Sequence, residues 1–281
     1  MDLLTTPRLY AYTGGRPFDP ARPTVVFLHG AQHDHSVWIL QSRYFAHHGH
    51  SVLALDLPGH MRSEGPALGS VAATADRVAE GLTASGATRL LLVGHSMGSL
   101  LCLEVARRLV DRVAGVALVA TAFPMRVSDA LLTATREDSP AAMDMINVWS
   151  HSASTAAFER KPSNPGPGFS NVWQNLRLME RIAKRDGASV LVTDFAACNA
   201  YAGGLDAARA LRCPALFVLG EQDVMTPPKA AQSLIDAIAD RTVVKVDGGG
   251  HSLMAERPDH VLAALKSFAA RAFASRRDAT A

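Results

Sequence analysis

The sequence predicts an α/β protein built on one open, mostly parallel β-sheet, because short apolar runs alternate with segments of helical periodicity along most of its 281 residues. The apolar runs are almost continuously hydrophobic, which is typical of strands covered by helices on both faces. Strands that alternate with helices favour a parallel sheet. Six strands are expected, at residues 24–28, 52–57, 90–93, 113–121, 215–219 and 242–246.

Helices are predicted between these strands wherever apolar residues recur at a spacing of three or four. The last helix should begin at Pro258, since proline is favoured in the first turn. Its apolar side would carry Val261, Leu265 and Phe268. An earlier helix should present Val71, Ala75, Val78 and Leu82 in the same way.

A long region with helical patterns and no convincing strand interrupts the alternation after the fourth predicted strand. It is too long to be a bare loop in a compact domain, so it should carry its own structure. We expect residues 1–121 and 207–281 to form an α/β core and residues 122–206 to form a helical cap insertion. The proline- and glycine-rich run at residues 161–168 would connect helices of that insertion.

Composition and charge exclude several classes of protein. The net charge of +2 is spread along the chain, which argues against nucleic acid as a partner and favours a small-molecule substrate. The most apolar stretch, residues 113–123, is too short to span a membrane, and no secretory signal is recognised at residues 1–8. Three widely spaced cysteines (Cys102, Cys198 and Cys213) predict no disulfide framework and fit a cytoplasmic location. Oligomeric state stays open.

Six histidines (29, 33, 35, 47, 48 and 50) crowd the first fifty residues. Their spacing matches no tight metal-ligand pattern, so neither a metal nor a cofactor is expected.

The pentapeptide Gly94-His95-Ser96-Met97-Gly98 has the form of a nucleophile elbow. It follows a predicted strand and precedes a predicted helix, which is the context that this motif requires. The serine must sit on a sharp turn, and glycine at the two flanking positions relieves the crowding there. The following helix would direct its positive end at the reacting centre. Ser96 is therefore the candidate nucleophile, whereas His95 is interpreted as structural.

A serine hydroxyl needs a base and an orienting acid, which must come from elsewhere in the chain. Asp223 and His251 each follow the end of a predicted strand, on the edge of the sheet where Ser96 emerges. The order serine, aspartate, histidine is the one that this kind of fold uses. Glu221 is a rival acid that we expect to be exposed, and Glu256 should support the start of the last helix.

Five motifs in order resemble the α/β-hydrolase superfamily, in particular its cap-bearing esterase, haloperoxidase and carbon–carbon hydrolase branch. Besides the elbow, they are Leu28-His29-Gly30, the stretch at residues 55–60 (LDLPGH), residues 220–228 and Gly250-His251. Met61 departs from the glycine often seen after the second motif. The resemblance implies that Ser96, Asp223 and His251 form a catalytic triad and that the backbone N–H groups of Ala31 and Met97 form an oxyanion hole.

The expected activity is hydrolysis of a small, largely apolar carboxylic ester, thioester or lactone through an acyl-enzyme on Ser96. Carbon–carbon hydrolysis and cofactor-free perhydrolysis of the haloperoxidase type stay open as alternatives, as does a slow or non-catalytic ligand receptor. Methionine and tryptophan make adaptable pocket walls, and Trp149, Met125 and Met145 are the foremost candidates for substrate binding. Met143, Phe169, Trp173 and Met179 belong to the same group.

Overall fold

The structure, a computed structural model, describes residues 1–152, 167–187 and 189–275. An eight-stranded sheet forms the centre of the described part of the chain, with strand order β1-β2-β4-β3-β5-β6-β7-β8. Its strands are β1 (Asp2–Thr5), β2 (Arg8–Tyr12), β3 (Thr24–Leu28), β4 (Ser51–Leu55), β5 (Leu90–His95), β6 (Val113–Val119), β7 (Ala215–Gly220) and β8 (Arg241–Val246).

Strands β3 to β8 pair in parallel and thereby confirm the predicted architecture. The six predicted strands all occur, with bounds that differ by one or two residues. Two strands were not predicted: β1 and β2 run antiparallel at one edge. They alternate between buried and exposed residues, because an edge hairpin is covered on one face only, and so they lack the continuous apolar run.

Alternate residues of each central strand belong to separate hydrophobic cores on the two faces of the sheet. In β3, Val26 and Leu28 face one core, whereas Val25 and Phe27 face the other. This division follows from the two-residue period of a strand. It explains why the runs are apolar throughout.

Helices cover both faces. The first core is packed by α2 (Val71–Ala84), α3 (Met97–Arg108), α8 (Gly204–Arg209) and α9 (Gln232–Ala237). The second is packed by α1 (Ile39–His47), the short α10 (Leu253–Glu256) and α11 (Pro258–Ser275). The last helix begins at Pro258, as predicted.

Between β6 and β7 the described residues form helices and no strand of the sheet, as predicted. The helical insertion consists here of α4 (Asp129–Glu137), α5 (Ser139–Trp149), α6 (Pro167–Asp186) and α7 (Ser189–Ala200). Its apolar side chains form a cluster of their own that includes Leu131, Ile146 and Phe195 and that contacts Ala31 and Met225 beyond the strand ends. The helices therefore lie against the carboxyl ends of the parallel strands, where open α/β sheets bind their ligands. Most of the proline- and glycine-rich run, residues 161–166, lies outside the described residues.

Met61, where the resemblance implies a glycine, has a φ of 43°. It keeps the left-handed conformation that glycine adopts more readily. Its N–H donates to Asp186 at 3.0 Å, which holds the turn against the end of α6. No helix in the described part of the chain combines the length and the apolar character that crossing a bilayer requires.

Candidate active site

Ser96 occupies a strained turn between β5 and α3. Its φ of 51° and ψ of −118° are unfavourable for a residue with a side chain. Its N–H donates to Val119 of β6 at 3.0 Å, and its carbonyl accepts from Ser99 at 2.8 Å, so the turn is fixed on both sides. This turn places Ser96 in the wall of a cavity.

The glycines on either side permit this turn. A Cβ atom on Gly94 would lie 2.1 Å from the carbonyl oxygen of Gly98, and one on Gly98 would lie 2.3 Å from that of Leu28. Both distances are far below van der Waals contact with backbone atoms that have no room to move. Glycine is therefore needed at both positions because the neighbouring backbone approaches too closely to leave room for a side chain.

Asp223 and His251 form a buried pair. The Nδ1 atom of His251 lies 2.9 Å from Oδ2 of Asp223, and both side chains are almost inaccessible to solvent. An ionised carboxylate only accepts, so Nδ1 carries a proton, and in the neutral imidazole Nε2 is the nitrogen with the lone pair. Glu221, the rival acid, is exposed.

The carboxylate of Asp223 accepts further hydrogen bonds from its own loop. The backbone N–H groups of Met225 and Thr226 donate to Oδ1 at 2.9 and 2.8 Å, and the hydroxyl of Thr226 donates to Oδ2 at 2.7 Å. Burial by itself would raise the pKa of Asp223, but the neighbouring His251 and the bonds from Thr226 outweigh it and lower the pKa to about 2. The acid is thus kept ionised to orient the imidazole.

Two neighbours fix the backbone around His251. Nε2 of His95 donates to the carbonyl of His251 at 3.0 Å, which agrees with a structural role for His95. Burial holds the pKa of His95 well below its ordinary value, so this ring is neutral. The carboxylate of Glu256 accepts from the N–H of Gly250 at 3.1 Å and from that of Ser152 at 2.9 Å. The interpretation of Glu256 as a support for the last helix was wrong, because its side chain turns back into the interior and binds the loop that carries His251.

Ser96 and His251 line the same cavity. Among the described residues, no hydrogen bond joins the Ser96 hydroxyl to the imidazole. A bond of this kind often forms only when substrate binds.

Of the two residues expected to form the oxyanion hole, Met97 directly follows Ser96 and Ala31 lines the same cavity as Ser96. Met97 is the first residue of α3, so its N–H has no carbonyl to bond within the helix. Ala31 lies in the loop after β3 and lines the cavity. Its N–H donates to no recorded acceptor among the described residues. Two uncommitted donors, one of them at a helix N-terminus, suit a developing negative charge.

The cavity at Ser96 has a volume of about 360 Å³ and opens between the core and the helical insertion. Trp149 and Met125, two of the three foremost substrate-binding candidates, line it, whereas Met145 does not and instead packs within the insertion. On α5, Ile146 and Trp149 are three residues apart and line the cavity together. The apolar part of the wall consists mainly of Met125, Val127, Leu131, Ile146, Trp149, Phe195 and Met225.

The remaining members of the methionine and aromatic group lie elsewhere. Met143 and Met179 are buried in the cluster of the insertion, and Trp173 is half exposed beside a separate surface cavity. The side chain of Phe169 is outside the described residues. The sequence did not single out His33, Thr226 or Phe195 for this site. Of these three, only Thr226 could have been found from the sequence, because a hydroxyl three residues after an aspartate can donate a hydrogen bond back to its carboxylate.

One group of side chains has potential metal-ligand atoms within 4.8 Å of one another: Asp34, His35 and Asp56. Their oxygens are already engaged. Asp56 accepts from Nδ1 and the N–H of His35, at 2.6 and 2.9 Å, and Asp34 accepts from Arg181 at 3.0 Å. None of the three lines the cavity at Ser96.

A mostly parallel sheet, a strained serine between strand and helix, and a buried Asp–His pair at the strand ends together define an α/β-hydrolase type of protein. Residues 25–265 match the alpha/beta hydrolase family, and the chain belongs to that family.

Two relatives, an esterase and a chloroperoxidase, each align with more than four fifths of this chain. The pimeloyl-[acyl-carrier protein] methyl ester esterase of Chromobacterium violaceum is 28% identical over 251 residues, which cover 82% of this chain and 87% of that protein. The non-heme chloroperoxidase of Streptomyces lividans is 27% identical over 250 residues, covering 84% and 87%. Among solved structures, the enol-lactonase from Burkholderia xenovorans LB400 has a TM-score of 0.76 at 23% identity, with 93% of this chain and 96% of that one covered. These similarities agree with a hydrolase that is related to esterases.

Proposed function

We propose that this protein is a serine hydrolase that cleaves a small, largely apolar carboxylic ester, thioester or lactone through an acyl-enzyme on Ser96. The observation that carries the proposal is the buried His251–Asp223 pair, with Nδ1 and Oδ2 at 2.9 Å, whose histidine lines the same cavity as Ser96. A histidine fixed in this tautomer can accept the serine proton through Nε2.

In the proposed reaction the Ser96 oxygen attacks the substrate carbonyl carbon while Nε2 of His251 takes the hydroxyl proton. Asp223 stabilises the resulting imidazolium, and the N–H groups of Met97 and Ala31 donate to the oxyanion. The intermediate collapses as His251 returns the proton to the leaving alcohol or thiol. A water molecule then attacks the acyl-enzyme with His251 again as the base, which releases the acid and restores Ser96.

The apolar wall supports an apolar acyl or alcohol group, because a cavity of this volume takes up a small molecule largely out of water. We propose that residues 122–206 act as a cap, since the insertion supplies Trp149, Ile146 and Phe195 to that wall. The substrate-binding roles of Trp149 and Met125 follow from the same placement.

The test is the variant Ser96→Ala. It should lose turnover of p-nitrophenyl esters and covalent labelling by a fluorophosphonate, and it should unfold at nearly the same temperature as the wild-type protein. Ser150→Ala, which removes another serine hydroxyl from the same cavity, should still be labelled. Turnover and labelling that persist in Ser96→Ala would refute the nucleophile.

A second candidate is perhydrolysis, in which hydrogen peroxide replaces water in the second step. The similarity to the Streptomyces lividans chloroperoxidase favours it. Perhydrolysis is assayed with acetate and hydrogen peroxide, with a halide as the acceptor, and ester hydrolysis is assayed in parallel. The ratio of the two kcat/KM values distinguishes the two activities.

A further inference from the structure

Asp194 of α7 joins the helical insertion to the loop that carries Ala31. Its carboxylate is buried, and one oxygen, Oδ2, accepts two hydrogen bonds. The backbone N–H of Gln32 donates to it at 2.9 Å, and Nε2 of His60 lies 2.9 Å from the same oxygen. Since Gln32 directly follows Ala31, the bond to Asp194 fixes the peptide unit next to the proposed oxyanion donor.

Gln32 needs this support because its backbone is strained. Its φ of 53° lies in the left-handed region, which a non-glycine residue adopts only when its surroundings impose it. A second bond to the insertion helps, because Nε2 of Gln32 donates to the carbonyl of Met179 in α6 at 3.1 Å. The loop conformation therefore depends on two helices that are far away in sequence.

His60 holds the Asp194 carboxylate in place. Its Nδ1 atom lies 3.0 Å from the carbonyl oxygen of Pro58 and its Nε2 atom 2.9 Å from Asp194. A carbonyl and an ionised carboxylate can only accept, so both ring nitrogens donate and the ring is an imidazolium. Burial opposes this charge, but Asp194, the carbonyl of Pro58 and the charge of Asp56 together outweigh the burial and raise the pKa of His60 above its ordinary value. Hydrogen bonds to an ionised acceptor are roughly twice as strong as neutral ones.

We propose that Asp194, held by His60, is a positioning residue that aims the Ala31 N–H at the oxyanion and so couples the helical insertion to transition-state stabilisation. The inference rests on the proposed function, since it assigns Asp194 a part in the same reaction. Asp194 does not line the cavity and touches no substrate. Its direct contact with the loop that carries Ala31 is the bond from Gln32.

The variant Asp194→Asn keeps the shape of the side chain but removes the charge. The amide oxygen can replace Oδ2 but is uncharged, so both bonds lose their charge assistance, and a neutral His60 has only one N–H for the two acceptors at its ring nitrogens. A donor displaced by about 1 Å can cost on the order of 10²-fold in rate. We expect kcat for a p-nitrophenyl ester to fall by about 10- to 100-fold, with KM changed less than about three-fold.

Asp186→Asn is the matched control. Asp186 also lies in the insertion and also accepts a backbone N–H, that of Met61 at 3.0 Å, but it does not touch the Ala31 loop. Its kcat should stay within about two-fold of the wild-type value. If Asp194→Asn has no larger effect on kcat than Asp186→Asn, or if KM alone changes, the proposal is overturned.

Two further measurements separate a positioning role from general loss of structure. An alkyl boronic acid forms a tetrahedral adduct that resembles the transition state, so it should bind Asp194→Asn more weakly by the same factor as the loss in kcat. If Asp194 were a purely structural residue, the melting temperature would change and the affinity for the boronic acid would not. Amide hydrogen exchange at Gln32 should accelerate in Asp194→Asn and not in Asp186→Asn, and unchanged exchange would contradict the geometry whatever the activity. If the wild-type protein shows no ester turnover or serine labelling, the proposed function fails, and the exchange measurement still tests the link between Asp194 and Gln32.

Discussion

Gly98 lies so close to Leu28 that a Cβ atom on Gly98 would stand 2.3 Å from the Leu28 carbonyl oxygen. The first turn of α3 therefore packs directly against the end of β3. This contact brings the Ser96 turn beside the loop of Ala31, and it depends on the absence of a side chain.

Replacing Gly98 by alanine should push α3 away from β3 and disturb the turn. We expect the free energy of unfolding to fall by about 3 kcal/mol or more, because neither backbone can yield without breaking the sheet. Urea denaturation measures this loss. Gly69→Ala is the control, since a Cβ atom there would meet nothing within 4 Å. Equal effects at the two positions would contradict the close packing.

Replacing Asp223 by asparagine should impair catalysis severely. The amide would favour the wrong tautomer of His251 and would not stabilise the imidazolium, so kcat should fall by roughly 10³- to 10⁴-fold. Steady-state kinetics with p-nitrophenyl esters provide the measurement. The exposed neighbour Glu221 offers the comparison, and Glu221→Gln should remain within about two-fold of wild type. The opposite ranking would make Glu221 the acid.

The low pKa of Asp223 also predicts a dependence of stability on pH. Its pKa is lowered from 3.8 to about 2, so the ionised carboxylate stabilises the folded state above about pH 4, and this contribution is lost as the pH falls through 2. The difference corresponds to about 2 kcal/mol. Unfolding free energies at several acidic pH values should show this loss in the wild-type protein and not in Asp223→Asn. Parallel curves for the two proteins would argue against an ionised, buried Asp223.

Trp149 should limit the size of the substrate, because it contributes to the apolar wall of the cavity at Ser96. Trp149→Ala should shift the preferred p-nitrophenyl ester toward longer acyl chains, and the ratio of kcat/KM for long over short chains should rise by about 10-fold or more. Trp173→Ala is the matched variant, since Trp173 is half exposed and lies at another cavity. An unchanged chain-length profile in Trp149→Ala would exclude this residue from the acyl-binding wall.

The fold was largely predictable because the central strands are buried on both faces. A run such as Thr24–Leu28 is buried at every position and apolar after its first residue, and this pattern does not depend on distant residues. Strand β2 was missed because Arg8, Tyr10 and Tyr12 are only partly buried, so only local alternation marks it.

The candidate site was predictable where a short motif imposes a turn, as at Ser96. It was not predictable where function depends on contacts between distant segments. The role of Glu256 was wrong because a sequence does not reveal that a carboxylate will turn back to Gly250 and Ser152. The bond between Asp194 and Gln32 joins residues 162 positions apart, and no local pattern connects them.

Detection of the acyl-enzyme is the most direct test of a covalent serine mechanism. The wild-type protein would be incubated with p-nitrophenyl pivalate, whose bulky acyl group slows release, then quenched in acid, digested and mapped by mass spectrometry. We predict a pivaloyl group on the peptide that contains Ser96, formed in step with the first equivalent of p-nitrophenol and lost on further incubation. A first turnover with no acylated peptide, or with the acyl group on another residue, would contradict the account.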